Sequence, residues 1–328
     1  MSFAGSRFAH WGAALGVTLA GCSPATPAHS APAPPPAAAP SPAPSPVPAA
    51  TSPVPAEPAP DPAALGRPCG DLHCLAFATP QAAFAYVLRA EPRVLAVGEA
   101  HAQQGNPKIA SSTRRFAEQL LPLLAGRSKD IVIELLVANC KQQTVTGVAK
   151  TQAPVTEHQA QSNQSEFVTL GKYAQRLGIE PHALNPSCSE YDSVLAAGED
   201  GVARLLGLVA EQTEKTVTAL LAQPVPPAPS GTPIVLTYGG ALHNDLHPRA
   251  GQESWSFGPQ LFAASHGRYV ELDLIVPEFV KDSEAWRNLP WFSAFDREHL
   301  PREALLYEPT PGSFTLIFPK TDSSAPQG

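Results

Sequence analysis

Residues 93–101 read RVLAVGEAH, a run of apolar residues that ends in glycine, glutamate, alanine and histidine. Residues 131–137 read IVIELLV and residues 234–238 read IVLTY, which are apolar runs of the same kind. Short continuous apolar runs are typical of strands that are buried on both faces of a parallel sheet. The pattern predicts an α/β fold with a mostly parallel central sheet that is covered by helices on both faces.

Segments with helical spacing lie between the predicted strands. We expect four helices, at residues 81–90, 109–124, 166–177 and 202–222. Thr79 is a suitable cap for the first of them, and Gly178 is suited to follow the end of the third. Three further strands are expected, at residues 179–184, 269–274 and 314–318. In residues 269–274 apolar and polar side chains alternate, which predicts that one face of this strand is in water.

The N-terminal fifth of the chain differs in composition from the rest. Sixteen of the 38 prolines lie between Pro24 and Pro62, where most other residues are alanine or serine. Such a segment has too little apolar surface to offset the entropy lost on ordering, so residues 22–66 are predicted to be a disordered tether. Residues 67–328 are numerous enough for a large core, and we expect them to form a single α/β domain.

Residues 1–21 have the pattern of a signal peptide, with Arg7 ahead of a short apolar core. This core ends in LAGC at residues 19–22, which resembles the bacterial lipobox, and the resemblance implies that lipid is attached to Cys22. The lipid would contact a membrane and place the protein in the bacterial cell envelope. Ser23 after the cysteine favours the outer membrane by the same resemblance. A chance cysteine after an ordinary cleavage site is the alternative.

Charge and hydropathy exclude two classes of protein. The chain has 22 Lys and Arg against 29 Asp and Glu, a net charge of −7, and it contains no basic run. A nucleic-acid partner bound through phosphate contacts is therefore not expected. Since no apolar stretch reaches the roughly 18 residues that span a bilayer, no transmembrane segment is expected either.

Four cysteines remain when Cys22 is set aside. Cys69 and Cys74 enclose a four-residue loop, which favours a local disulfide. Cys140 and Cys188 each follow a predicted strand, so they could form a second disulfide at one edge of the sheet. Disulfides are typical of exported proteins. A zinc site made of these four cysteines is the alternative, although their spacing fits no common zinc pattern.

Histidines follow two of the predicted strands. His101 lies three residues after Gly98, and His243 lies three residues after Gly240. Glycine at a strand end lets the chain turn sharply and lets a ligand approach the backbone. Because ligands bind at the carboxyl ends of parallel strands, we expect both histidines at the functional site. His73 also follows such a glycine, but no strand precedes it and we expect it in a loop.

Two glutamates accompany these histidines. Glu134 interrupts the apolar run at residues 131–137, where an unpaired carboxylate would be costly. It must be paired with a cation such as Arg114 or Arg115, bound to a metal, or placed at the open end of the strand. Glu99 lies two residues before His101 and adds a second carboxylate to the same edge of the sheet.

The chemistry of these residues leaves two possibilities. His101, Glu134 and His243 could bind Zn, Mn or Fe and activate a water molecule. Alternatively, one histidine positioned by Glu99 or Glu134 could act as a general base on water without a metal. His182, at the end of the strand predicted at residues 179–184, could join either arrangement. The chain has neither a GxSxG elbow nor a GxxxxGKS/T loop, which excludes the usual serine hydrolases and P-loop NTPases.

Three segments together resemble a known superfamily: RVLAVGEAH at residues 93–101, DIVIE at 130–134 and YGGALH at 238–243. In order and spacing they are similar to the superfamily that joins erythromycin esterases, ChaN-type haem-binding lipoproteins and Tiki/TraB proteins. The resemblance extends over residues 77–274. It implies an α/β domain with a pocket that is lined by four side chains, those of Glu99, His101, Glu134 and His243.

The members of this superfamily have several activities, and the fold does not choose among them. The buried Glu134 and the two strand-end histidines favour a lipid-anchored hydrolase that cleaves an ester or amide bond in a small molecule or peptide, with or without a divalent metal. Its alternative is a surface lipoprotein that binds haem or iron through His101 and His243. A non-catalytic scaffold is a weaker alternative.

Overall fold

The computed structural model describes residues 66–104, 108–157, 159–224 and 233–321. The expected signal peptide at residues 1–21, the lipidation site Cys22 and residues 22–65 of the expected tether lie outside the described residues. Within the described ranges, no helix is both long enough and apolar enough to cross a membrane.

The described residues form an α/β fold around one nine-stranded mixed sheet. Its strands are β1 (Arg67–Pro68), β2 (Leu75–Phe77), β3 (Val94–Glu99), β4 (Ser128–Leu136), β5 (Glu180–Leu184), β6 (Ile234–Gly240), β7 (Tyr269–Ile275), β8 (Ala304–Thr310) and β9 (Ser313–Ile317). The strand order is β1-β2-β8-β9-β7-β3-β6-β4-β5. The six strands from β9 to β5 pair in parallel, whereas β1, β2 and β8 add an antiparallel edge. The sheet is therefore mostly parallel, as the sequence predicts.

Helices connect these strands. They are α1 (Pro80–Val87), α2 (Ser112–Arg115), α3 (Gln142–Thr156), α4 (Asn163–Arg176), α5 (Cys188–Ala196), α6 (Gly201–Leu221), α7 (Gly258–Ala264) and α8 (Glu284–Arg287). Thr79 caps α1, since its side-chain oxygen accepts a hydrogen bond from the Ala82 N–H. Gly178 follows α4 with a φ of 75°, a conformation that favours glycine. Both signals read from the sequence are confirmed.

Strand β3 lies in the middle of the sheet, and all six of its residues are buried. Leu95 belongs to an apolar cluster that includes Phe167 of α4. Ala96, the next residue, belongs to a second cluster that includes Val209 of α6. Since successive side chains of a strand point to opposite faces, burial in both clusters explains why this segment is apolar throughout.

The helix expected at residues 109–124 is shorter and less regular than its periodicity suggests. After the four residues of α2, Phe116–Leu120 form a π-helical turn and Leu121–Leu124 form a 3-10 turn. Pro122 has no N–H to donate, and in a regular α-helix its ring would clash with the carbonyl group four residues earlier. The wider and then tighter turns are the local response to this proline.

Strand β7 is more buried than expected, because only Asp273 among its seven residues is not fully buried. Tyr269 and Glu271 are only 2% and 6% exposed, and β7 lies between β3 and β9. The Leu246 N–H donates a hydrogen bond to Glu271 Oε2 over 2.7 Å. Because a hydrogen-bonded carboxylate can be buried, the alternation of apolar and polar residues in this strand did not indicate a solvent-exposed face.

The structure contains disulfides between Cys69 and Cys74 and between Cys140 and Cys188, the pairings expected from the sequence. The first closes the turn before β2. The second joins the segment after β4 to the first residue of α5. The zinc alternative fails because all four sulfurs are in disulfides.

Candidate functional site

Glu99 and His101 form a buried pair at the carboxyl end of β3. Glu99 is the last residue of the strand, and its Oε1 lies 2.7 Å from His101 Nδ1. Both side chains are 1% exposed. A carboxylate at this distance favours the tautomer in which Nδ1 carries the proton, so Nε2 is the basic nitrogen of the neutral ring.

Two hydroxyl groups fix the other oxygen of Glu99. Thr113 Oγ1 and the Tyr238 hydroxyl each donate a hydrogen bond to Glu99 Oε2 over 2.7 Å. Burial, and then the charge of Glu99, raise the pKa of Tyr238 well above its usual value, so its hydroxyl remains a donor. With three donors, the Glu99 carboxylate is held in one position despite its burial.

The surroundings of His101 restrict its movement. Its ring centre lies 6.1 Å from that of Phe167 in α4. The carbonyl of the next residue, Ala102, accepts hydrogen bonds from the Ala160 N–H and from Asn163 Nδ2. The chain that leaves β3 is therefore fixed to the loop before α4 and to the start of that helix.

Glu134 and His243 form a second buried pair. Glu134 Oε1 lies 3.7 Å from His243 Nε2, and the two side chains are 3% and 2% exposed. The Gly240 N–H donates to Glu134 Oε2 over 2.6 Å. The other ring nitrogen of His243, Nδ1, lies 2.7 Å from the Trp255 carbonyl, to which it donates.

Burial makes this second pair uncharged near neutral pH. It raises the pKa of Glu134 to about 8 and lowers the pKa of His243 to about 4. Glu134 therefore carries a proton while the imidazole is neutral, with its lone pair on Nε2. At 3.7 Å the two facing atoms are too far apart for a direct hydrogen bond.

A cavity of about 10 Å³, room for one water molecule, lies beside the second pair. In the described part of the chain, four of its lining residues have a buried side-chain atom without a hydrogen-bond partner: Glu134 Oε1, Thr237 Oγ1, His243 Nε2 and Asn244 Oδ1. Buried polar atoms normally have partners. This cavity therefore suits a small polar group or a cation.

The two pairs lie on opposite faces of the sheet. Glu99 shares a face of its strand with Leu95 and Val97, which belong to the apolar cluster that contains Phe167 of α4. Glu134 shares a face of its strand with Val132, which belongs to the cluster that contains Val209 of α6. A Cβ on Gly239 would lie 2.4 Å from Glu134 Oε2, so only glycine allows Glu134 to lie over β6. The structure thus brings the four expected residues together as two pairs.

The expected metal ligands His101, Glu134 and His243 are divided between these pairs. Among the residues that the structure describes, no three His, Cys, Asp or Glu side chains are placed to hold one metal ion. Glu134 and His243 share a cavity, and His101 engages Glu99 through Nδ1. The metal site stays a prediction.

Other residues singled out in the sequence lie elsewhere. His182 Nε2 is 2.8 Å from Asp130 Oδ1 at the start of β4, so it does not join the pairs. His73 lies in the turn before β2, as expected for a loop residue. Neither arginine suggested for Glu134 contacts it: Arg114 pairs with Glu118, and Arg115 pairs with Glu278.

Four polar residues around the pairs were not identified from the sequence: Thr113, Thr237, Tyr238 and Asn244. Thr237 and Tyr238 are the only residues with hydroxyl groups in the apolar run at residues 234–238, which is a usable signal. Thr113 could not be identified in this way, because its approach to Glu99 depends on how α2 packs.

Comparison of the chain with protein-family models, with curated proteins and with solved structures finds no match.

Proposed function

We propose that this chain is a hydrolase of ester or amide bonds, with its site at the carboxyl ends of the parallel strands and helices on both faces of the sheet. The observation that carries the proposal is the buried pair of Glu99 and His101. A histidine positioned by a carboxylate that is itself fixed by two hydroxyl groups is an arrangement suited to general-base catalysis. The superfamily that residues 93–101, 130–134 and 238–243 resemble includes esterases, which is in keeping with this proposal.

In the proposed reaction His101 Nε2 takes a proton from water as the water oxygen attacks the substrate carbonyl. Glu99 stabilises the imidazolium that forms, while Thr113 and Tyr238 keep Glu99 in place. The proton then passes to the leaving oxygen or nitrogen as its bond to the carbonyl carbon breaks. No charge is left on the enzyme at the end of the cycle.

Glu134 and His243 would act on this step through their electrostatic effect. The raised pKa keeps a proton on Glu134 near neutral pH, so this pair places no further charge near the imidazolium that forms on His101. Glu99 contributes to the raised pKa of Glu134, and His101 contributes to the lowered pKa of His243. The two pairs are thus within electrostatic reach of one another.

A divalent metal would be held by the second pair. Glu134 Oε1 and His243 Nε2, which lack partners in the described structure, would be its ligands together with the oxygens of Thr237 and Asn244. When bound, such an ion would polarise the carbonyl or lower the pKa of water. In that case His101 and Glu99 would move the proton.

The proposal includes the location expected from the sequence. Lipid on Cys22 would attach the protein to a membrane of the bacterial envelope, and the proline-rich tether would let the domain extend from it. The two disulfides support an exported protein, because such bonds persist in oxidising compartments.

The test is hydrolysis of p-nitrophenyl esters and peptide p-nitroanilides by the purified full-length protein, with added Zn²⁺ or Mn²⁺ and with a chelator. We expect His101→Asn and Glu99→Gln to lower kcat by roughly 10²–10⁴-fold. His182→Asn is the matched control, because it removes a histidine that is also paired with a carboxylate but lies outside the two pairs.

Equal activity in wild type, His101→Asn and Glu134→Gln, with all three folded by circular dichroism, would overturn the proposal. So would the absence of hydrolysis under every metal condition. A visible absorption band that forms on addition of haem and is lost in His243→Ala would support the haem-binding alternative instead.

A further inference from the structure

A cavity of about 550 Å³ lies beside β7 and β9, and neither His/Glu pair lines it. Its walls come from the turn after β6, from the segment around α8 and from the sheet itself. The residues that matter are Asp245, Glu271, Asp273 and Trp255 inside, with Arg249 at the rim. Its volume is within the range of small-molecule sites in proteins.

The sheet is polar where it forms the floor of this cavity. Glu271 and Asp273 are two residues apart on β7 and point to the same face. In the parallel register they lie beside Ser313 and Thr315 of β9, which also line the cavity. Burial of carboxylates in a sheet is costly without a compensating partner.

Asp245 brings a third carboxyl group to the same cavity. Each of the three accepts a hydrogen bond: Glu271 from the Leu246 N–H, Asp273 from Asn244 Nδ2, and Asp245 from the His247 N–H. In the described ranges, none of them forms an ion pair with Lys, Arg or His. Hydrogen bonds are therefore the direct contacts that stabilise these three carboxyl groups.

Burial raises the pKa of all three carboxyl groups, that of Asp273 to about 7, and repulsion by neighbouring carboxylates raises the pKa of Glu271 and Asp273 further. Arg249 and His247 are exposed at the rim and lower the pKa of Asp245, and Glu284 adds a further carboxylate to the lining.

An aromatic side chain completes the cavity. The indole of Trp255 is half-buried and lines the same space as the carboxyl groups. Ammonium and guanidinium groups are attracted to indole faces as well as to carboxylates. The combination of acidic floor and aromatic wall distinguishes this cavity from a solvated acidic patch.

We propose that this cavity binds a small organic cation, with its ammonium or guanidinium group beside Asp245, Glu271 and Asp273 and its apolar part against Trp255. Neither His/Glu pair lines this cavity, which adjoins the proposed hydrolytic site through the Asn244–Asp273 hydrogen bond and through Trp255. A neutral polyol and a divalent metal ion are the competing occupants that the experiment must distinguish.

The test is isothermal titration calorimetry of the full-length protein with 1,5-diaminopentane and with agmatine. 1,5-Pentanediol serves as the neutral probe, and Ca²⁺ and Mg²⁺ serve as the metal probes. We expect saturable binding of the two cations, with affinity at least about tenfold lower in Asp245→Asn and in Asp273→Asn.

Asp200→Asn, an equal charge change at an exposed position before α6, should leave binding unchanged, and so should His101→Asn. Asp245 is half-buried at the wall, so Asp245→Asn keeps the test decisive if Asp273→Asn does not fold. No saturable binding of either cation at millimolar concentration would overturn the proposal. Equal binding of pentanediol, binding of the metals alone, or unchanged affinity in Asp245→Asn would overturn it too.

Discussion

Tyr238→Phe tests the hydrogen-bond arrangement around Glu99. The substitution removes one hydroxyl group that donates to a buried carboxylate over 2.7 Å. It keeps the ring, whose centre lies 4.9 Å from that of Phe116 and 5.7 Å from that of Phe167. Packing should therefore change little, and the loss should be that of a single hydrogen bond to a charged group.

Such a bond contributes about 1.5–3 kcal/mol to stability. We expect the free energy of unfolding to fall by that amount, with an unchanged m value, in urea denaturation followed by circular dichroism. Glu99 would retain His101 and Thr113 as partners, so the variant should still fold.

Tyr307→Phe is the matched control. Tyr307 is also buried, but its hydroxyl donates over 3.4 Å to the neutral carbonyl of Ala294. Its loss should cost less than about 1 kcal/mol. If Tyr238→Phe costs no more than Tyr307→Phe, the Tyr238 hydroxyl does not fix Glu99 and the reasoning fails.

Three other predictions concern stability. The pKa of Glu134 is about 8 in the folded chain and near 4.5 when the chain is unfolded. The free energy of unfolding should therefore be highest below about pH 4.5 and decline as the pH rises to 8, because only the unfolded chain loses this proton in that range. Glu134→Gln should remove that decline in urea titrations; an equal decline would contradict it. Gly239→Ala should lower the free energy of unfolding by about 1–3 kcal/mol, because the new methyl group crowds Glu134. Gly171→Ala is the control and should not destabilise α4, because its new methyl group has only ordinary contacts. An equal fall in melting temperature in the two variants would contradict this prediction. Replacing Cys140 and Cys188 with serine should cost about 2–4 kcal/mol in chemical denaturation, because the bond joins residues 48 positions apart, and an unchanged midpoint would count against this.

The parallel part of the sheet could be predicted because burial on both faces leaves a direct trace in sequence. Residues 94–97, 131–137 and 234–238 are apolar almost throughout, and each forms a central strand. The antiparallel edge left a weaker trace, since β1 and β2 have only two and three residues and β8, which reads ALLYEPT, is apolar only in its first half. Helix α3 was also missed, because only three of its fifteen residues are buried.

The candidate residues could be predicted by type and place, but not by pairing. Glu99 lies two residues before His101, and their hydrogen bond is local. By contrast, the approach of Glu134 to His243 depends on the pairing of β4 with β6, which no local pattern specifies. The fixing of Glu99 by Thr113 depends likewise on the packing of α2 against the sheet.

Trp255 takes part in two places at once. Its main-chain carbonyl accepts the hydrogen bond of His243, while its indole lines the cavity beside β7. These two roles are chemically separable, because a side-chain replacement keeps the carbonyl. Trp255→Ala would therefore alter the cavity and leave the acceptor for His243 in place, whereas a shift of this backbone segment would affect both.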